Sequence, residues 1–112
     1  MQLDAKKFLF DIKQATELLS EFAENKTIDD YIEDAMLRSA VERQFEIIGE
    51  ALSKLAKIDQ GIAAQITAYR RIIAFRNILI HGYAQVDDYV VWDVLQENLP
   101  VLKNEVAKLL VE

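Results

Sequence analysis

The sequence predicts an all-α fold: an antiparallel helical bundle of four main helices plus a short one, with a kinked last helix. Three observations predict it. Apolar residues recur at steps of three and four along most of the chain. No stretch of alternating period two is long enough to need a sheet. Only three glycines and one proline interrupt 112 residues, which leaves room for long regular elements. At this length residues 1–112 are expected to form a single domain that buries roughly two-thirds of the surface its unfolded chain would expose.

The elements follow in order. Phe8, Ile12, Ala15, Leu19 and Phe22 share one stripe of a helix from about Asp4 to Glu24, with Asp4 suited to its N-terminal end. The polar segment from Asn25 to Asp34 reads as a turn and the irregular start of the next helix, with Thr27 and Asp29 or Asp30 as caps. A second helix runs to about Lys57 with Leu37, Val41, Phe45, Ile48, Leu52 and Leu55 as its core stripe. Gly49 in its interior costs up to ~1 kcal/mol against alanine, and a close helix–helix contact is the expected reason. A short helical piece is expected around Ile62 to Ile66. A fourth helix covers about Ala68 to His81, where Gly82 can terminate it. The last begins at Asp87 or Asp88 and continues nearly to Glu112, with Pro100 predicting a kink near Gln96 to Pro100.

Composition removes several function classes. The chain has no cysteine, so disulfides, thiolate metal sites and cysteine nucleophiles are out of reach. A single histidine, His81, argues against a histidine-built metal site, and no cofactor is expected. No apolar run approaches the ~18 residues that span a bilayer, and the N-terminus lacks a secretory pattern, so a cytoplasmic protein without membrane contact is expected. The net charge of −6 is unevenly spread: residues 1–34 carry −5, residues 35–83 carry +3 and residues 84–112 carry −4. The basic middle permits RNA in one cleft while the remaining surface stays acidic.

That middle holds the candidate chemistry. On an ideal helix Tyr69, Ile72, Ile73, Leu79, Ile80 and Tyr83 all lie within about 60° of Arg76, so a guanidinium stands in an apolar face and calls for an anion. Glu42, Glu46 and Glu50, four apart on the second helix, are the internal candidates. They read more simply as a solvated face or as counter-ions than as a metal site. Asn77 and His81 lie one turn apart on another side, and the helix is apolar nearly all round. Packing it against a second copy in a homodimer is the simplest way to bury it. His81 can exchange a proton with a ribose 2′-OH or a leaving 5′ oxygen, and Arg76 can hold phosphate oxygens as charge builds. Asn77 can orient either group. Arg43, Arg70 and Arg71 are candidate RNA or phosphate contacts. Trp92, Tyr89 and Tyr69 read as core or interface aromatics before base-stacking platforms.

The run Arg76-Asn77-Ile78-Leu79-Ile80-His81-Gly82-Tyr83, of the form R-N-x-x-x-H-x-Y, resembles the signature of HEPN proteins. Ala40-Val41-Glu42-Arg43, Glu46-Ile47-Ile48-Gly49-Glu50-Ala51-Leu52, Val91-Trp92 and Leu99-Pro100-Val101-Leu102 extend the resemblance to the HepT-like branch. That resemblance implies a HEPN-like helical-bundle homodimer with its motif at the dimer cleft. It also implies a metal-independent endoribonuclease toxin of a type VII-like toxin–antitoxin pair, with Arg76 and His81 catalytic. The implied partner is an MntA-type nucleotidyltransferase antitoxin that transfers AMP onto Tyr83. Two other readings of the residues stay open. The helices can serve as a non-catalytic module that docks a nucleotidyltransferase, or form a purely structural dimer in which a glutamate neutralises Arg76.

Overall fold

The computed structural model describes residues 1–82 and 86–111. These form α1 (Leu3–Ala23), α2 (Ile28–Glu33), α3 (Ala35–Ile58), α4 (Gln60–Ala63), α5 (Tyr69–His81), α6 (Asp88–Asp93) and α7 (Leu99–Val111), with a π-helical turn, Val94–Asn98, joining the last two. No strand occurs among the described residues. The layers are simple: α3 packs between α1 and α5, and α7 lies against the other flank of α1. Helices α1 and α3 are antiparallel. Lys7 and Asp11 share a surface cleft with Glu50 and Lys54, whereas Phe22 meets Asp34, Met36 and Ala40.

The core stripe expected on α3 is the one observed, with all six residues buried. On α1 the buried side is turned slightly, so Ala5, Leu9 and Thr16 join Ile12, Ala15 and Leu19, while Phe8 and Phe22 are half-buried. The segment before α3 differs from expectation. It is a separate six-residue helix, closed at its start by a capping box in which the Thr27 hydroxyl accepts from Asp30 N–H and the Asp30 carboxylate accepts from Thr27 N–H. At its far end Arg38 donates to the carbonyls of Ile32 and Tyr31, which supplies a cation where the helix dipole is negative. Buried Tyr31 holds α2 in place against Trp92 of α6, ring centroids 5.5 Å apart. Trp92 is thus a packing aromatic, while Tyr89 is exposed.

The short α4 begins earlier than expected because the Asp59 carboxylate accepts from Ile62 N–H and starts the helix at Gln60. Helix α5 has no cap from its own N-cap residue, Ala68. Instead Glu105 of α7 accepts from both the N–H and the hydroxyl of Thr67, at 3.1 and 2.7 Å, and brings a carboxylate to that end of the dipole. The last helical stretch starts where Asp87 accepts from Tyr89 N–H. The predicted bend takes a specific form: Leu99 N–H donates to Val94 O, five residues back. The wider turn sits directly ahead of Pro100, whose ring would otherwise press on the Gln96 carbonyl. No described helix is long and apolar enough to cross a membrane.

Candidate active site

The site is built where α5 crosses α3. Ile72, Phe75 and Leu79 are the buried residues of α5, and Phe75 meets Phe45 of α3 edge-on, ring centroids 5.3 Å apart. One turn along, Gly49 is buried beneath the root of Arg76. A Cβ added at Gly49 would stand 2.7 Å from Arg76 Cγ, closer still to Arg76 Cβ, and 3.4 Å from the Ile72 carbonyl oxygen. The close contact expected at Gly49 is therefore present, and Arg76 is what fills it.

Arg76 itself is half-buried. The sequence projection put it at the centre of the apolar face, but the buried centre lies about 60° away, between Phe75 and Leu79. The α3 partner sets that direction. Phe45 and Gly49 draw in one side of α5, leaving Ile73, Ile80 and Tyr69 only half-covered. This shift bears on the expected counter-ion. Among the described residues no carboxylate lies within ion-pairing distance of Arg76; Glu50 pairs with Lys54 at 3.3 Å instead. Partial exposure lowers the cost of leaving it unpaired, because a partly solvated guanidinium escapes the full penalty of burying a charge. Arg76 Nη1 donates to Asn77 Oδ1 at 3.1 Å, while Arg76 Nε is buried with no acceptor among the described residues. The glutamate row does not gather into a metal-holding group: no three His, Asp or Glu side chains converge among the described residues.

Asn77 and His81 are exposed, as are Arg70, Arg71, Ala74 and Ile78. These six occupy one open side of α5, so the chain by itself does not bury the helix all round. His81 is its last residue, and the helix stops there as Gly82 N–H donates to Ile78 O at 2.7 Å. Gly82 does not adopt a left-handed conformation, with φ −109°. Glycine is used for room, since a Cβ would sit 2.9 Å from that same carbonyl oxygen. Arg76 lies about 140° around this regular helix from His81, so a single chain does not bring the two together, and only its bond to Asn77 links the guanidinium to the open side. Tyr83 lies outside the described residues.

The other arginines divide. Arg70 donates from Nε to the Tyr69 hydroxyl at 2.9 Å and stacks over its ring, and this donated bond holds the Tyr69 hydroxyl below its ordinary pKa. Arg71 faces Asp93 at 3.8 Å, a loose exposed pair between α5 and α6. Arg43 is exposed on α3, about 120° around that helix from Gly49, so the part of α3 that meets α5 does not carry it. The sequence had indicated every one of these cations and the glycine. It had not indicated that the glycine and Arg76 occupy one place.

Residues 12–109 match the family model described as Ribonuclease HepT-like. The chain belongs to the HepT-like ribonuclease family. It is 35% identical over 109 residues to the "probable ribonuclease HepT" of Thermococcus cleftensis, covering 97% of this chain and 98% of that protein. A "putative RNase" of Methanocaldococcus jannaschii is 35% identical over 103 residues, 92% of this chain and 94% of its own. A longer protein of the same organism, named "gamma-glutamylcyclotransferase and putative RNase", is 35% identical over all 112 residues, and this chain spans half its length. No solved structure matches the chain. Membership in the HepT-like family agrees with the all-helical fold and covers the whole of α5, the helix that carries the candidate residues.

Proposed function

We propose that this chain is a metal-independent endoribonuclease that breaks RNA by internal attack of a ribose 2′-OH. His81 takes the 2′-OH proton as the O2′–P bond forms and the P–O5′ bond breaks; the departing O5′ takes a proton from an imidazolium. The products are a 2′,3′-cyclic phosphate and a free 5′-OH. Arg76 holds the non-bridging oxygens while negative charge accumulates, and Asn77 steadies the guanidinium. The single observation that supports this reading most is the state of Arg76. Among the described residues its charge meets no carboxylate, its Nε lacks an acceptor, and its side-chain hydrogen bond reaches Asn77. A phosphodiester supplies what is absent.

The open side of α5 is the surface on which two copies pair, which brings two sets of Arg76, Asn77 and His81 to one cleft. Arg43, Arg70 and Arg71 contact phosphates along the substrate. By resemblance the chain works in the cytoplasm as the toxin of a type VII-like toxin–antitoxin pair. Its antitoxin is an MntA-type nucleotidyltransferase that places AMP on Tyr83 and thereby blocks the cleft with a covalent anion.

The test is cleavage of cellular RNA in EDTA by wild type, Arg76→Ala and His81→Ala. Each substitution is expected to lower the rate by on the order of 10² to 10⁴. Undiminished cleavage by both variants would discard the proposal.

A further inference from the structure

We propose that Gly49 is a positioning residue for the reaction. By leaving out a side chain it sets the depth and direction in which Arg76 is presented to phosphate. This rests on the ribonuclease reading above.

The atoms of Arg76 nearest to a Cβ at position 49 are its own Cβ and Cγ, followed by the Ile72 carbonyl oxygen. These are the root of a side chain and the backbone that bears it. Cβ is fixed by the backbone, so rotating Arg76 about its side-chain torsions cannot relieve the contact. An added methyl must therefore push α5 away from α3 or turn it. The consequence falls on the guanidinium. With the root seated over Gly49, Nε is enclosed without an acceptor among the described residues while Nη1 reaches Asn77 on the open side. The enclosed Nε keeps water off one side of the cation, and the Asn77 bond fixes the other. Small displacements of a group that stabilises developing charge carry large rate costs. Glycine in the interior of a 24-residue helix sacrifices helix propensity, and close access to Arg76 is what it provides in exchange.

The experiment compares wild type, Gly49→Ala, Arg76→Gly and the double variant, each as the full chain, by RNA cleavage and thermal melting. Gly49→Ala is expected to retain its helical content, lower kcat by tenfold or more and leave KM for RNA within about twofold, since phosphate contacts along α5 persist. A role in stability alone would leave kcat of the folded protein unchanged. Melting supplies a second arm that holds even if Gly49→Ala folds poorly. The methyl should lower Tm when Arg76 is present but not in the Arg76→Gly background, where the clashing atoms are gone. Wild-type kcat in Gly49→Ala, or an equal loss of Tm in both backgrounds, overturns the proposal. Wild-type cleavage by Arg76→Gly instead overturns the catalytic role given to Arg76 above, and the functional role of Gly49 falls with it.

Discussion

Glu42 is half-buried on α3, and burial first, then Asp88 and Glu46, raise its pKa above the ordinary 4.5, against the opposing pull of Arg38. Nearby, burial also raises the Tyr31 phenol, whose buried hydroxyl finds no hydrogen-bond partner among the described residues. The sign of the linkage is fixed by that direction. Folded protein holds the Glu42 proton to higher pH than unfolded protein does, so stability falls as pH rises from the ordinary carboxylate value through the raised one. It stays lowered at neutral pH. Glu42→Gln is therefore expected to raise Tm modestly at pH 7, with the gain shrinking as pH falls through the raised value and gone below pH 4.5. Melting curves at both pH values check it; a lower Tm at pH 7 would contradict this account. That Arg76, Asn77 and His81 are candidates was open to reading from the sequence. Which neighbour each one meets was not. The counter-ion expected for Arg76 assumed full burial, and only the packing of α5 on α3 reveals a half-solvated guanidinium bonded to the next residue along.

Among the elements, α3 was legible because both its flanks are covered, by α1 and α5, and its stripe records that burial directly. Helix α2 was not. Six residues with two acids in the first turn carry too little periodicity, and its existence depends on a local capping box and on Trp92, sixty-one residues away from Tyr31. For α5 the sequence indicated the boundaries to within one residue but misjudged the buried direction, since an apolar residue facing open solvent counts the same in a helical projection as one in the core. Ile78 is the case in point, 54% exposed in the isolated chain. If the open side of α5 is the face between copies, Ile78→Glu should convert a dimer to a monomer in sedimentation while shifting the melting temperature of the monomer little, as expected for an exposed position. A variant that stays dimeric would place the interface elsewhere.

For the molecule as a whole, the acidic balance and the basic middle coexist because the positive side chains concentrate on two adjacent helices. Arg70, Arg71 and Arg76 lie on α5 and Arg38 and Arg43 on α3, while α1 and the segment beyond residue 86 carry most of the acids. Such segregation gives the segment that carries α3 and α5 a charge of +3 in a protein of net charge −6. It also makes a modification in the middle segment effective: one added phosphodiester beside Arg76 would offset one of the three excess positive charges. Intact mass after co-expression with a nucleotidyltransferase partner should rise by whole multiples of AMP, and should not rise in Tyr83→Phe. An unmodified mass with an active partner would remove the AMP transfer from the proposal.

The wide turn ahead of Pro100 stores one residue more than an α-turn spanning the same rise, so the chain carries slack at that spot. Losing a residue between Val94 and Asn98 would leave Leu102, Val106 and Leu109 aimed at α1, whereas losing one farther along would swing whatever follows about 100° out of register. Variation in length is thus tolerated at one joint of the closing helix and penalised along the rest.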